Sequence, residues 1–304
     1  MSAQRIACIG ECMIELSQLD LAAGQARIGF AGDTANTATY LARLGADVAY
    51  LTNVGTDAFS DAMLAMFATE GVDISLIGRH PDRLPGLYAI ETDAKGERSF
   101  RYWRNEAAAR TLFSGIGPGL SALDAFGTVY VSGITLAILP QGVRTRLITA
   151  LGAARARGTR VVFDSNYRPR LWSGPDEARD TFTAMWRVTS LGLPSRDDEE
   201  KLWPDASVEA VADRLLALGV DEIVVKDAAS GPFVATSNGG RRLSFPQVSE
   251  VIDTSGAGDS FNAGYIAARL RGDAPEQAAE AGHRLAATVI GHHGAIIPRD
   301  AMSG

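Results

Sequence analysis

Cysteine is scarce in this chain: of 304 residues only Cys8 and Cys12 are cysteines, four positions apart in what reads as a β-hairpin region near the N-terminus. No histidine or further cysteine stands near them. A zinc site needs about four ligands, and two cysteines do not make a disulfide framework. They read as small buried apolar residues in a reducing compartment. Long apolar runs are missing too. None approaches the roughly 18 residues needed to span a bilayer. The short run IACIG is broken at once by Glu11, without the small-residue cleavage pattern of a secretory signal. A soluble, cytoplasmic protein is expected. Positive charge is not in excess, with 29 Lys and Arg against 36 Asp and Glu, a net charge of −7 and a pI of about 5.2. That argues against nucleic acid or an anionic membrane as the main partner. A small anionic substrate stays open, because a few local arginines reverse the field inside one cleft. Internal repeats, low-complexity segments and flexible interdomain linkers are also missing.

What is present is an ordinary globular balance, 46% hydrophobic and 21% charged. The length suits one large α/β domain, with or without a small lid. RIACIGECMIELSQ reads as strand, turn, strand, and residues 18–30 as loop. Gly32, Asp33 and Thr34 lead into a helix whose inner face is small, ended by Gly45. VAYLTNVG reads as a strand, and DAFSDAMLAMFATEG as an amphipathic helix ended by Gly71. Residues 85–105 differ in character: two alternating strands flank the turn Asp93-Ala94-Lys95-Gly96. Such a hairpin among helix-strand units reads as a small β-element projecting from the main sheet. Strand-helix alternation then resumes, through TVYVSG, TRVVFDSN, a helix near 175–186, VTSLGLP, a helix at 207–218, EIVVKD and PFVATS. Two long helices close the chain. This pattern predicts a mainly parallel sheet with helices on both faces.

The most informative stretch is VIDTSGAGDSFNAGYIAARL, residues 251–270. It reads as a strand, then Asp253-Thr254-Ser255, then Gly256-Ala257-Gly258-Asp259, then a helix. The small residues let the backbone bend sharply and point its N–H groups at one spot. The positive helix end adds to that spot. The result is an anion hole suited to a transferring phosphoryl group. Asp259 at its rim is the candidate general base for a substrate hydroxyl. Asp253 is placed to organise a magnesium shell through water. A plain helix N-cap with a glycine turn would explain a lone GxG, but not the whole string in this context.

That string resembles the DTxGAGD signature of the PfkB (ribokinase-like) carbohydrate kinases. GFAGDTANTATYLARLG resembles the family's N-terminal substrate loop, and TNVGTDAFSD its GxVGxDxxG segment. The resemblance covers nearly the whole chain. It implies a ribokinase-like three-layer α/β/α sandwich with a small β-sheet lid, the projecting hairpin agreeing independently. It implies ATP with Mg²⁺, and one kinase domain over 1–304 whose lid comprises parts of about 11–31 and 85–105.

Four features bear on the acceptor. In the hairpin, Arg98, Arg101 and Arg104 interleave with Phe100, Tyr102 and Trp103. Alternate strand residues share a face, so Phe100, Tyr102 and Arg104 point together and Trp103 points away, with Tyr88 in the partner strand. This cluster suits a polyhydroxy acid; a solvated lid face with aromatic packing is the plainer alternative. In FDSNYRPRLW, Asn166 and Arg168 fall at the C-terminal edge of the sheet, where open α/β folds bind ligands. Arg168 suits a carboxylate or the phosphates, while Arg170 reads as a surface or structural residue. The loop Gly32-Asp33-Thr34-Ala35-Asn36 suits hydroxyl recognition, part of it explained by helix capping through Asp33 and Thr34. Fourth, GECMIELS, RSFRYWR, FDSNYRPRLW and LPSRDDEE resemble the family's branch acting on the sugar acid 2-keto-3-deoxygluconate, phosphorylated on its terminal 6-hydroxyl. By motif position this implies substrate contacts from Gly32, Asn36, Tyr88, Tyr102, Arg104 and Arg168, with Asp33 in the same loop.

On the nucleotide side, VVKDAASGPFV resembles the family's TLGxxG turn, with Ala228 where glycine is usual. Asn166, Lys226, Gly231, Gly256 and Gly258 are the candidate ATP contacts; Lys226 reads equally as a strand-end surface lysine. LPSRDDEE resembles the NxxE segment that helps hold magnesium, with Ser195 and Asp198 at its N and E positions. A solvated helix start at Asp197–Glu199 accounts for the same acids, and no residue is taken as a direct metal ligand. His292 and His293 align with the adenine-pocket wall or are packing histidines. A fructokinase, a ribokinase, a kinase of the galactonate-type epimer and a non-catalytic sugar-acid sensor remain alternatives. A projecting lid has exposed edges, so association of like subunits through it is expected.

Overall fold

The computed structural model describes residues 5–92, 98–203, 207–246, 248 and 250–302. Its strands in chain order are β1 (Ile6–Ile9), β2 (Met13–Asp20), β3 (Gln25–Ala31), β4 (Val48–Val54), β5 (Ile77–Arg79), β6 (Leu87–Thr92), β7 (Arg98–Trp103), β8 (Thr128–Ser132), β9 (Arg160–Asp164), β10 (Leu191–Gly192), β11 (Glu222–Val225), β12 (Phe233–Thr236) and β13 (Gly239–Arg242). The helices are α1 (Asp33–Arg43), α2 (Ala58–Thr69), α3 (Gly133–Ile138), α4 (Gln141–Ala156), α5 (Pro175–Trp186), α6 (Arg196–Leu202), α7 (Val208–Ala217), α8 (Ala257–Arg271) and α9 (Pro275–Ile290).

Nine strands form one sheet in the order β13-β12-β11-β10-β9-β8-β1-β4-β5. The seven from β11 to β5 run parallel, and β12 and β13 add an antiparallel edge. The central strands are apolar on both faces, as a doubly covered parallel sheet requires. In β8, Val129 and Val131 enter one core while Tyr130 enters the other. The first core packs α4, α5 and α7 through Leu147, Phe182 and Leu215. The second packs α1, α8 and α9 through Leu41, Tyr265 and Leu285. This makes the α/β/α sandwich. Among the described residues no helix is long and apolar enough to cross a membrane.

A separate four-stranded sheet has the order β3-β2-β6-β7. Its inner face carries Met13, Ala31 and Tyr88, which pack with Ala295 from the body of the molecule, flanked by Ile90 and Phe100. The turn at residues 93–96 lies outside the described residues.

Three readings from the sequence need correction, and one strand went unread. β1 and β2 are not a hairpin: β1 lies in the main sheet and β2 in the small one. Gly10 makes the passage, and a Cβ there would lie 2.1 Å from the Thr34 hydroxyl oxygen. Residues 18–30 are not all loop, because β2 runs to Asp20 and β3 begins at Gln25. The first four residues of β3 are exposed, so no apolar alternation marks them. Residues 251–253 are not a strand. Val251 and Ile252 are exposed, and an apolar pair without a sheet partner does not make one. β13 has the sequence GGRR, exposed throughout, and was invisible to a hydrophobic pattern.

Candidate active site

Parallel strands that start together also end together. Gly10, Ser132, Asp164 and Lys226 all fall at the C-terminal edge of the main sheet, where β1, β8, β9 and β11 finish. Between that edge and the small sheet lies a cavity of about 1220 Å³. Gly256, Ala257, Gly258 and Asp259 line one end, Tyr88, Tyr102 and Arg104 the other, and Gly32, Asp33 and Asn36 the middle. Asn166, Arg168, Arg170 and Lys226 also line it. Gly231 does not.

At the first end the backbone is left-handed at Gly256, with φ 71°, immediately before α8. A Cβ there would come within 2.6 Å of the Ala295 carbonyl oxygen, so only glycine fits. No side chain caps α8; the Ala257 N–H donates to the Thr254 carbonyl at 3.3 Å, and the N–H groups of Gly258 and Asp259, which line the cavity, lie in the first turn, where an α-helix offers no internal acceptor. Asp259 sits in the first turn. Its Oδ2 accepts from Asn36 Nδ2 at 2.8 Å, and its carbonyl accepts from the Thr37 hydroxyl at 3.2 Å. Burial, followed by the negative charge of Asp33, pushes the Asp259 carboxyl up to about 8. The Asn36 hydrogen bond and Lys226 oppose that rise, and Asp164 adds to it.

A polar network underlies this end. Lys226 Nζ donates to Asp164 Oδ2 at 2.9 Å and to Asn262 Oδ1 at 3.0 Å. Asn262 Nδ2 donates to the same Asp164 oxygen at 2.7 Å and to the Tyr130 hydroxyl at 3.1 Å. Lys226 is therefore not a surface lysine: it is mostly buried, and a Cβ at Gly258 would lie 3.7 Å from its Nζ. Asp164, Asn262 and Tyr130 went unnoticed in the sequence because they are 98 and 132 residues apart in pairs. Asn166, at φ 30°, bends so that its Nδ2 donates to Asp33 Oδ2 at 2.8 Å. It thus ties the sheet edge to α1. Ala228 holds φ 38°, the left-handed conformation that explains why glycine suits this turn. Gly231, at φ 80°, packs against Leu243, whose carbonyl oxygen a Cβ would approach to 2.1 Å.

At the other end Tyr88 faces Tyr102 across β6 and β7, with ring centroids 5.7 Å apart. Phe100 stacks beside Tyr102 at 6.4 Å. The Arg104 guanidinium lies 5.9 Å from the Tyr102 ring centre. Trp103, on the opposite face, is exposed. The Tyr88 hydroxyl donates to Glu15. Arg104 Nη2 donates to Glu11, whose side chain is buried. Neither glutamate was picked out in the sequence, since nothing local to GECMIELS distinguishes an inward acid from a solvated one. The Arg98 side chain lies outside the described residues. Arg168 is half exposed, and its Nη1 reaches the Tyr167 carbonyl at 3.0 Å and Asp198 at 3.5 Å.

Several expected roles fall away or change. Asp253 does not face the cavity. Its Oδ1 accepts from Ser255 N at 2.9 Å and its Oδ2 from Gly294 N at 2.7 Å. It fastens the glycine loop to the C-terminal segment. Asp33 and Thr34 do not cap α1, whose N-cap is Gly32, with no side-chain cap. Asp33 is engaged by Asn166, and the Thr34 hydroxyl meets the Tyr50 hydroxyl at 3.0 Å. Gly32 is required because a Cβ would lie 2.1 Å from the Glu11 carbonyl oxygen. The start of α6 is not a solvated run: Ser195 caps it, and Asp198 and Glu199 are buried, Glu199 against Arg214 at 2.6 Å. Only Asp197 is exposed. His292 Nδ1 meets the Thr288 carbonyl at 2.9 Å, and neither His292 nor His293 lines the cavity.

Among the described residues no three His, Cys, Asp or Glu side chains gather as a metal cage. Asp164 is already engaged by Lys226 and Asn262. Asp197 and Asp198 do line the cavity, which fits a magnesium ion carried in on nucleotide phosphates, with only one or two carboxylates nearby.

A family model described as "pfkB family carbohydrate kinase" matches residues 3–302. The 2-dehydro-3-deoxygluconokinase of Dickeya dadantii (strain 3937) is 47% identical over 312 residues, covering 99% of each chain. The crystal structure of a PfkB protein from Polaromonas sp. JS666 superposes with a TM-score of 0.84 at 27% identity, covering 99% of both chains. A putative Ribokinase II from E. coli, solved in complex with ATP and Mg²⁺, shares the fold with a TM-score of 0.84 at 24% identity, covering 96% of this chain and 94% of that one.

Proposed function

The chain belongs to the pfkB family of carbohydrate kinases, and from that premise we propose that it phosphorylates 2-keto-3-deoxygluconate on its 6-hydroxyl. The products are 2-keto-3-deoxy-6-phosphogluconate and ADP. One observation carries the reaction type: a partly buried carboxylate, Asp259, oriented by Asn36, in the first turn of an uncapped helix that opens on Gly256-Ala257-Gly258. The acceptor rests on the lid cluster of Tyr88, Tyr102 and Arg104 facing Asp259 across one cavity, and on the 47% identical relative's activity.

In this reading the 304 residues act as one kinase domain, and the second sheet is its lid. The sugar acid lies between Gly32, Asp33 and Asn36 and the lid, with its carboxylate toward Arg104 and Arg168. A neutral sugar has less use for two arginines converging on one cavity. ATP lies along the sheet edge past Lys226, Asn166 and the 228–231 turn, with Gly231 shaping that turn from behind. Asp259 accepts the hydroxyl proton as the oxygen attacks the γ-phosphorus in line. A carboxyl lifted to about 8 holds that proton well near neutral pH. The N–H groups in the first turn of α8, with its positive end, stabilise the charge on the transferring group. Lys226, fixed by Asp164 and Asn262, adds positive charge beneath Gly258. Magnesium bound to the nucleotide would shield phosphate charge near Asp197 and Asp198. The reaction is placed in the cytoplasm, and like subunits associate through the lid, where Ile28 and Trp103 on its two edge strands are exposed.

The test is coupled ADP release over a panel of sugar acids and neutral sugars. 2-Keto-3-deoxygluconate should give the highest kcat/KM. A neutral hexose or pentose as best acceptor would overturn the substrate. ATP-independent binding of the acid with no ADP release would overturn the kinase reading.

A further inference from the structure

The chain crosses between the two sheets four times: at Gly10–Cys12, at Gly32, at residues 80–86, and at Arg104 after β7. All four crossings meet at one residue, Glu11. Glu11 lies in the first, and its Oε2 accepts from Arg104 in the fourth. A Cβ at Gly32, in the second, would strike the Glu11 carbonyl oxygen at 2.1 Å. A Cβ at Gly86, in the third, would lie 2.5 Å from Glu11 Oε1 and 3.1 Å from Arg104 Cβ. Gly86 therefore makes room for one buried ion pair at the root of the lid, and Gly32 for the backbone that carries its acid. Side-chain exposure is 1% for Glu11 and 7% for Arg104.

The pair is only half satisfied. Glu11 Oε1 and Arg104 Nε are buried without hydrogen-bond partners among the described residues. A fully buried charge pair with unfilled hydrogen bonds is poor value for stability alone. Yet Arg104 also lines the cavity. Its Nη2 is held by Glu11, its guanidinium rests near Tyr102, and its Nη1 makes no hydrogen bond among the described residues. A planar guanidinium pinned on one side presents the other in a fixed direction. Two further charges act on Glu11: Arg110 with the sign of Arg104, and Asp33 against it.

We propose that Glu11 is a positioning residue for the acceptor: it orients Arg104 toward the cavity and so sets the preference for a carboxylate-bearing substrate over a neutral sugar. This rests on the reading of Arg104 as the partner of the substrate carboxylate. Glu11 touches neither substrate in this role and acts through Arg104. Because it sits where all four crossings meet, it also links the seating of the acid to the position of the lid.

The experiment measures KM and kcat for 2-keto-3-deoxygluconate, for fructose as a neutral comparison, and for ATP. The variants are Glu11→Ala, Glu11→Gln, Glu11→Asp, Arg104→Ala and the double alanine, each with a melting temperature. Glu11→Ala should raise KM for the acid about tenfold or more while KM for ATP stays within about twofold. Activity on fructose, however low, should not fall with it. Glu11→Gln, whose amide oxygen still accepts from Nη2, should bring the acid KM back to within about threefold. Adding Glu11→Ala to Arg104→Ala should raise KM no further. If the alanine variant does not fold, Glu11→Asp keeps the charge one methylene short and should still raise KM for the acid alone. Acid and fructose falling in parallel would overturn the proposal and leave a structural role. So would an unchanged acid KM in both Glu11→Ala and Glu11→Asp, or in Arg104→Ala. A wild-type enzyme that phosphorylates fructose but not the acid would show in the wild-type measurements alone, and would sink the substrate reading along with this one.

Discussion

In the proposed reading, four consecutive residues at the body end of the cavity, Gly256 to Asp259, supply both the anion hole and the carboxylate. At the lid end the same amount of chemistry is spread over Glu11, Tyr88, Tyr102 and Arg104, which come from three stretches of chain. The body end rests on backbone N–H groups, a helix terminus and a buried network through Lys226, Asp164 and Asn262. The lid end rests on side chains held by two carboxylates, Glu15 and Glu11. Phosphoryl transfer is the same chemistry whatever the acceptor, so its parts can be rigid and local. Acceptor choice needs side chains that can be exchanged one at a time. The two ends should therefore fail differently when altered.

The largest effect is expected at the body end. Asp259→Asn should lower kcat by about 10²–10⁴-fold, measured by ADP release under saturating substrates. A variant within about tenfold of normal would break the assignment of the base. Arg104→Ala, at the lid end, should raise KM for the acid about tenfold or more while leaving KM for ATP nearly unchanged. Equal effects on both substrates would erase the distinction between the two ends.

A third prediction concerns pH. The Asp259 carboxyl is lifted from 3.8 in the unfolded reference to about 8 in the folded protein. A raised carboxyl binds its proton more tightly when folded. Its contribution to stability is complete below about pH 4 and is lost as pH rises to about 8. Asp259→Asn carries no such charge. Its advantage in unfolding free energy over the wild type should grow between those limits, by at most about 1.4 kcal/mol per pH unit, and then level off. Denaturant melts at several pH values test this, and parallel pH dependences would contradict it. In the same window the free enzyme's kcat/KM should rise with pH, since the base must be unprotonated to act.

The smallest effect is expected at the nucleotide turn. Ala228 sits at φ 38°, a conformation that costs a residue with a side chain roughly 1–2 kcal/mol. Glycine would remove that strain at the expense of a looser unfolded chain. Ala228→Gly should stabilise by no more than about 1 kcal/mol and leave KM for the acid untouched. A change in the acid's KM would mean that the two ends are coupled through this turn.

The same contrast decides what the sequence could show. The glycine string was legible because its residues are adjacent and its geometry is local: φ 71° at Gly256 and a helix starting at Ala257 are written in the residues themselves. The parallel sheet was legible because strand and helix periods alternate. Tyr102 and Arg104 could be placed on one face by counting, but Glu11, 93 residues from Arg104, could not be paired with it. Asp164, Asn262 and Tyr130 were hidden for the same reason. Asp253 misled because an acid six residues before Asp259 looks like a metal neighbour. Only the position of Gly294 shows that its second oxygen is taken by backbone. The false hairpin at the N-terminus came from two strands adjacent in sequence that belong to different sheets.

If selection and transfer are separable, an enzyme that cannot transfer should still select. Calorimetric titration of 2-keto-3-deoxygluconate into Asp259→Asn tests this directly, with fructose as the comparison. The acid should bind with an affinity within about threefold of the wild type and fructose far more weakly. Loss of acid binding, or equal binding of both sugars, would show that acceptor choice resides at the body end, and the division between the two ends would fall.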